Sequence, residues 1–121
     1  GKQTAGSRDF LTFREMPWGE LYIQPFTGRV LQRAAFSFGT RLEAFRAACT
    51  AMGGLPLQAG DAGFEFTLLG NYRLRMLLWA GDDEFPPSAQ LLYSANFVDG
   101  FAAEDRVVAG DLLCNEIKAN L

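Results

Sequence analysis

Histidine is missing from this sequence of 121 residues. Imidazole is the commonest general base, the usual partner of catalytic serine and cysteine, and a frequent zinc or copper ligand. Its absence removes Ser-His and Cys-His nucleophile pairs. No glycine-rich loop with GxGxxG or GxxxxGK[ST] spacing joins a strand to a helix, so the common nucleotide-binding loops are missing as well. These absences favour a non-enzymatic role over an enzymatic one.

The sequence also has few cysteines, and it has no long apolar run. Cys49 and Cys114 lie far apart without CxxC spacing, so we expect free, packed thiols in a cytoplasmic protein and assign no metal ligands. No apolar run approaches the roughly 18–20 residues of a membrane-spanning helix. Residues 1–7 are small and polar, with no signal-peptide core. We expect them to form a disordered tail that begins with a tag remnant.

The charge balance excludes a further class of partner. The net charge is −3, the sequence pI is about 4.8, and the arginines are scattered along the chain. Nucleic-acid binding needs a basic stripe, so we expect no nucleic-acid partner. The length and the 49% hydrophobic content fit one domain, which we place at residues 8–121.

The first half of the chain predicts a hairpin followed by two helices. Two apolar runs within residues 8–26 flank a turn at Pro17, Trp18 and Gly19. Apolar positions at helical spacing then predict a helix that starts after Thr27 and stops at Gly39. A capping box of Thr40 and Glu43 predicts a second helix, which ends at residues 53–54.

The second half predicts another hairpin, a short strand and a last helix. Residues 64–68 and 72–76 alternate around a turn, and residues 76–79 form a continuous apolar run that indicates a buried strand end. Residues 91–93 form a short strand. The last helix is predicted to present four apolar side chains on one face: Val108, Leu112, Leu113 and Ile117. The order ββααβββα predicts an α+β fold, in which three helices pack on a mostly antiparallel sheet built from two hairpins and the short strand.

Residues 81–87, the acidic loop, are the densest polar feature of the sequence. Asp82 and Glu84 project to one side of an extended chain, and Asp83 projects to the other. Such carboxylates can hold a hard cation, orient a cationic ligand, or accept hydrogen bonds from local amides in a solvated turn. The loop leaves a buried strand, and its two prolines restrict it. We therefore expect Asp82 or Glu84 to bond Arg14 or backbone amides.

Residues 13–15, the FRE segment, are the second polar feature. Strand alternation would place Glu15 on the same face as the core residue Phe13, so Glu15 would line a pocket or form a structural ion pair. Arg14 would lie on the other face. Trp18 in the turn is difficult to explain by burial and is a candidate contact residue.

The two polar segments resemble a known family, domain of unknown function 3786. Its F-R-E-x-P-x-G segment, followed by a Tyr and a Phe, is matched by Phe13, Arg14, Glu15, Pro17, Gly19, Tyr22 and Phe26. Its G-D-x-E-F-P block is matched by Gly81, Asp82, Glu84, Phe85 and Pro86, and an acidic pair near the last helix by Glu104 and Asp105. The resemblance covers roughly residues 10–113.

The resemblance implies a prokaryotic protein but no particular activity. Some members carry a Cys-rich iron–sulfur segment, which the two cysteines of this chain cannot provide. The family tends to have Asp where this chain has Ser94, and its domain extends further at the N-terminus. A truncated domain would expose apolar surface or a sheet edge, so we expect at least a dimer if the chain is truncated.

Three functions remain open at this point. The first is a non-catalytic binding or accessory module with a polar site bordered by the FRE segment and the acidic loop. The second is an enzyme that uses the same carboxylates as acid, base or metal ligands, and the third is a protein-interaction domain without a small-molecule site. The ligand and any cofactor are unassigned. The candidate ligand-binding residues are Arg14, Glu15, Tyr22, Asp82, Asp83 and Glu84.

Overall fold

The structure is a computed structural model that describes residues 9–121. The expected disorder of residues 1–7 therefore falls outside the described residues. The strands are β1 (Phe10–Thr12), β2 (Leu55–Pro56), β3 (Ala62–Leu68), β4 (Tyr72–Trp79) and β5 (Ser88–Ser94). The helices are α1 (Gly19–Phe26), α2 (Arg33–Phe38), α3 (Leu42–Ala51), α4 (Phe97–Gly100) and α5 (Ala103–Ala119). A π-helical segment, Thr27–Gln32, joins α1 to α2.

The five strands form one antiparallel sheet in the order β1-β5-β4-β3-β2. The predicted hairpin of β3 and β4 is confirmed, and Phe64 faces Met76 across it. The two-residue strand β2 was not predicted, and β1 pairs with β5 instead of with its neighbour in sequence. The α+β class and the antiparallel sheet are confirmed, but the predicted count and order of elements are not.

The predicted first hairpin is wrong, because its second run is helical. Tyr22, Ile23, Phe26 and Val30 recur at the spacing of a helix, and Phe26 and Val30 are fully buried. A strand would have placed Ile23 on the face opposite to Tyr22, Phe26 and Val30, whereas a helix keeps all four on one side. Thr27 consequently lies inside a helical run that starts at Gly19, and it does not begin a helix.

The helices cover one face of the sheet and form the core with it. Phe13 of the FRE segment stacks on Phe26 of α1, with 4.2 Å between ring centroids, and both rings tilt against Tyr93 of β5. Met76 and Leu78 of β4 are fully buried on the same side. The predicted buried run at 76–79 holds for its first three residues, whereas its last, Trp79, is 38% exposed.

Two further details of the predicted helices need correction. Helix α3 forms as expected and ends before Gly53, whose φ is +84°, but its N-cap residue is Arg41 and no side chain caps it. In α5 the predicted face is rotated, because Val108 and Leu112 are largely exposed. Its buried residues are Ala103, Arg106, Val107, Ala109, Gly110, Leu113, Cys114 and Ile117. An arginine therefore lies on the buried side of the last helix.

Candidate functional site

The FRE segment is a turn of 3-10 helix, Phe13–Glu15, and not the end of a long strand. The Glu15 carboxylate accepts hydrogen bonds from the Thr12 amide at 2.8 Å and the Thr12 hydroxyl at 3.1 Å. Because this short helix reorients the backbone, Glu15 is exposed and does not point into the core. Arg14 pairs with Glu20 of α1, with 2.7 Å between Nε and Oε1, and both side chains are exposed.

Trp18 and Gly19 form a tight turn between the FRE segment and α1. A Cβ on Gly19 would lie 2.2 Å from the Phe13 carbonyl oxygen and 2.9 Å from the Arg14 Cα, so only glycine fits here. Trp18 has a φ of +65°, which is the left-handed region that side chains rarely adopt. The same turn leaves the indole 71% exposed.

The acidic loop is a compact turn organised by Asp82. Its Oδ1 accepts hydrogen bonds from the Glu84 and Phe85 amides, each at 2.8 Å, and its own amide donates to the Phe85 carbonyl. The bond from the Phe85 amide, followed by that from Glu84, lowers the pKa of the Asp82 carboxyl. The expected bonding to backbone amides is thus confirmed. Asp83 and Glu84 are exposed.

The structure does not bring the two polar segments into one site. The Arg14 groove holds about 240 Å³ and is lined by Thr12, Phe13, Arg14, Ile23, Phe26, Thr27, Leu31 and Gln90. The acidic-loop groove holds about 580 Å³ and is lined by Gly39, Thr40, Leu42, Glu43, Ala80, Gly81, Asp82 and Pro87. The two grooves share no residue. Arg14 bonds Glu20, and Asp82 bonds amides of its own loop.

Tyr22 belongs to a third concavity, the Trp18 groove, which sequence reasoning did not predict. It holds about 300 Å³ and is lined by Trp18, Leu21, Tyr22, Ala102, Ala103 and Glu104. It lies where α1 and α5 begin, with their N-cap residues Trp18 and Ala102 both in its wall. The sequence signals for it were Trp18, which was difficult to explain by burial, and Glu104 of the acidic pair. Nothing in the sequence indicated that the two come together.

Arg106 is the second feature that the sequence reading missed. The residue is 2% exposed, yet its guanidinium has no carboxylate partner among the described residues. Nη2 donates to the Pro17 carbonyl at 3.0 Å and Nε donates to the Phe101 carbonyl at 3.3 Å, while Nη1 is buried without a hydrogen-bond partner. Burial lowers the pKa of this guanidinium.

The surroundings of Arg106 are aromatic and apolar. Its guanidinium carbon lies 5.9 Å from the centroid of the Phe13 ring, and the Tyr93 hydroxyl donates to its backbone carbonyl at 2.7 Å. A signal was present in the sequence, because Arg106 has helical spacing with Ala103, Gly110 and Leu113. A charged residue on such an apolar arc indicates a specific buried role.

Among residues 9–121, no cluster of three or more His, Cys, Asp or Glu side chains is arranged to hold a metal ion. No helix in that range is long and apolar enough to cross a membrane.

These features define the class of the protein: an α+β domain with a five-stranded antiparallel sheet, a tight motif turn and an ordered acidic loop. The chain belongs to the family described as Domain of unknown function (DUF3786), whose model matches residues 1–116. The predicted family is thereby confirmed. No curated protein and no solved structure matches the chain.

Proposed function

We propose that this domain is a non-catalytic binding module that contacts its ligand through the Trp18 groove. The observation that carries the proposal is the exposure of two large apolar side chains, Trp18 at 71% and Leu21 at 68%, that line one concavity. Tryptophan is enriched among the residues that dominate binding energy, and contiguous exposed apolar surface is a feature of binding sites.

The FRE segment stabilises the turn that carries Trp18. Stacking of Phe13 on Phe26 fixes the segment to α1, and the ion pair of Arg14 with Glu20 crosses the turn from which Trp18 projects. Trp18 also keeps an uncommon backbone conformation, and such conformations cluster at functional sites. In this proposal Tyr22 contacts the ligand, whereas Arg14 and Glu15 hold the rim of the groove.

A fragment screen tests the proposed function. A panel of small aromatic and aliphatic compounds is tested for binding by ligand-observed NMR against the wild type and the variants Trp18→Ala and Leu21→Ala. We expect fragments whose binding is lost in both variants and kept in Leu112→Ala, a matched control on an exposed leucine outside the groove. Bound fragments should be recovered unchanged. The proposal would be contradicted if the fragments bind to the Trp18 and Leu21 variants as tightly as to the wild type.

The acidic loop is a second candidate surface, because the carboxylates of Asp82 and Glu43 both belong to residues that line the 580 Å³ groove. We propose that a cationic group would bind here if this groove is used, with Asp83 and Glu84 on the exposed part of the loop. An enzymatic use of these carboxylates and a pure protein-interaction role remain the alternatives. Chemical change in a bound compound would favour the first, and the absence of any small ligand would favour the second.

We further propose a cytoplasmic, prokaryotic protein that does not bind nucleic acid and that forms a homodimer or binds a protein partner. The buried, unpaired thiols of Cys49 and Cys114 support a reducing compartment. The negative net charge supports the exclusion of nucleic acid. Sedimentation across a range of protein concentrations tests the dimer, which a strict monomer would exclude.

A further inference from the structure

The positive charge of Arg106 is buried without a counter-ion among the described residues. Burying an ionised group is costly unless it is paired and fully hydrogen-bonded, and the guanidinium has two carbonyl partners and one unpartnered nitrogen, Nη1. Neutral carbonyls stabilise the charge less than a carboxylate does. An anion brought close to this guanidinium would therefore be attracted to a charge that residues 9–121 leave without a carboxylate partner.

Arg106 does not line the Trp18 groove, but it bonds the backbone of both segments that lead into it. The two carbonyls that accept from Arg106 belong to Pro17 and Phe101, and each immediately precedes a residue of the groove wall, Trp18 or Ala102. The guanidinium thus bridges the two segments that form the groove. It is also one turn into α5 from Ala102 and Ala103, because its amide bonds the Ala102 carbonyl.

The beginnings of α1 and α5 provide a second attraction for an anion at the same place. Their N-cap residues are Trp18 and Ala102, and neither helix has a side-chain cap. The first amides of a helix lack intrahelical acceptors, and the helix dipole adds positive potential there. The first amide of α1, that of Gly19, already donates to the Met16 carbonyl, so the attraction for an anion comes from the later amides of the first turns and from the helix dipoles.

We propose that the Trp18 groove binds a carboxylic acid with an apolar body, with the carboxylate placed between the two helix N-termini and paired with Arg106. This inference rests on the proposed function and adds the chemical class of the ligand. The apolar body would contact Trp18, Leu21 and Tyr22. A volume of about 300 Å³ suits a small aromatic or aliphatic acid.

The carboxylates near the groove restrict what can bind. Glu20 lies in the first turn of α1, and Glu104 and Asp105 lie in the first turn of α5, with Glu104 in the groove wall. These side chains repel a multiply charged anion more strongly than a singly charged one. We therefore infer a monocarboxylate. Removing the charge of Glu104 should tighten its binding.

Nη1 has no solvent access, so direct pairing needs a local movement of the groove wall. Trp18 directly follows Pro17, whose carbonyl accepts from Arg106, and its side chain is mostly exposed. A ligand that reaches Arg106 must therefore change the surroundings of the Trp18 indole. This makes Trp18 fluorescence a direct reporter of the proposed binding.

The experiment uses the full chain with Trp79→Phe, which leaves Trp18 as the single tryptophan. Phenylacetate, its neutral isostere phenylacetamide, and inorganic phosphate are titrated while the emission of Trp18 is recorded. We expect phenylacetate to bind about tenfold or more tightly than phenylacetamide, the size of one charge-assisted contact. Phosphate should bind weakly because it lacks an apolar body. Glu104→Gln should lower the Kd of phenylacetate.

Arg106→Met should abolish the preference for acid over amide, and Arg106→Lys should retain part of it if the methionine variant does not fold. Equal affinity for acid and amide in the wild type, or a preference that survives both Arg106 variants, overturns this inference while the proposed function stands. Phosphate binding more tightly than phenylacetate overturns the assignment to carboxylic acids. If none of the three probes changes Trp18 emission, the inference is also overturned, and the fragment screen judges the proposed function separately.

Discussion

At the scale of single residues, Gly19 shows how closely the motif turn is packed. Any side chain there would meet backbone atoms of Phe13 and Arg14, which cannot move without displacing the FRE segment. The glycine of this motif is therefore required by the close approach of two backbone segments, since its φ is not in the left-handed range. Phe13, in the same segment, is held by its stacking on Phe26.

Gly19→Ala should lower the free energy of unfolding by roughly 1–3 kcal/mol, because backbone atoms must shift to admit the methyl group. Urea denaturation followed by circular dichroism measures this. The control is Gly28→Ala, in the helical run where nothing lies within 4 Å of the added carbon. That variant should be neutral or more stable by roughly 0.5–1 kcal/mol. Equal effects of the two substitutions would show that the turn tolerates a side chain.

Asp82 has a structural role in the acidic loop that can be separated from cation binding. Asp82→Ala removes the acceptor for the Glu84 and Phe85 amides and should lower Tm more than Asp83→Ala, a control within the same loop. Because the pKa of Asp82 is lowered in the folded state, its contribution is present above its ordinary value of 3.8. This stabilisation is lost when the pH falls below 3.8 and reaches the lower pKa that Asp82 has in the folded state.

The same loop can be tested as a ligand site with Asp82→Asn. If the acidic-loop groove binds cations, Mg²⁺ or Ca²⁺ should raise the Tm of the wild type and leave that of Asp82→Asn unchanged. Thermal scans with and without each ion provide the comparison. An equal shift in both proteins, or none in either, would remove this loop from the candidate sites.

At the scale of elements, the last helix shows the limit of reading a face from sequence. Helix α5 has apolar residues on more than one side, so adjacent valines were equally good candidates for the core. The structure buries Val107, at 3% exposure, and leaves Val108 44% exposed. The rotation is consistent with Arg33 of α2 bonding Asp111, with 2.6 Å between Nη1 and Oδ1, and with Gly110 admitting Val30 close to the helix.

Val107→Ala should therefore destabilise the domain by about 1–3 kcal/mol through lost burial and a residual cavity. Val108→Ala removes the same atoms from a half-exposed position and should change the free energy of unfolding by less than about 0.5 kcal/mol. Guanidinium denaturation of the two variants gives the comparison. A larger effect for Val108 would restore the face predicted from the sequence.

The helix α1 illustrates a second limit at this scale. The run from Gly19 to Phe26 contains Tyr, Ile and Phe, which favour strands, and it follows a Pro-Trp-Gly turn. Burial of Phe26 and Val30 on one side of a continuous helix outweighs that local preference. The apolar pattern was correct as a core signal, but its period was misread over Gly19–Phe26, where the residues are helical.

At the scale of the whole molecule, the helices and one sheet face enclose a single core that includes both cysteines. Burial raises the pKa of Cys49 from its ordinary value of 9.0 to about 12, and that of Cys114 to about 11. In the unfolded chain these thiols would ionise near pH 9. The stability of the folded domain should therefore depend on pH in the alkaline range where these thiols ionise.

We expect the free energy of unfolding to fall as pH rises from about 9 towards 12, because unfolded thiols lose protons that the folded ones retain. Urea denaturation at a series of alkaline pH values measures the slope. Cys49→Ala should make the slope shallower, whatever its effect on stability at neutral pH. An unchanged slope would show that Cys49 does not contribute to the alkaline loss.

The amino-acid sequence by itself determined the family, the α+β class, the central hairpin and the ordered turn of the acidic loop. These depend on local signals: motif residues in order, alternation around a tight turn, and an aspartate that bonds amides two and three residues ahead. Only the tertiary structure decided that the FRE segment and the acidic loop line separate grooves, and that Arg106 bonds the backbone next to Trp18. The contact of Arg106 depends on how α5 packs against residues about 90 positions earlier, as in its bond to Pro17. Packing across that separation is set by the three-dimensional fit of buried side chains, which no local pattern encodes.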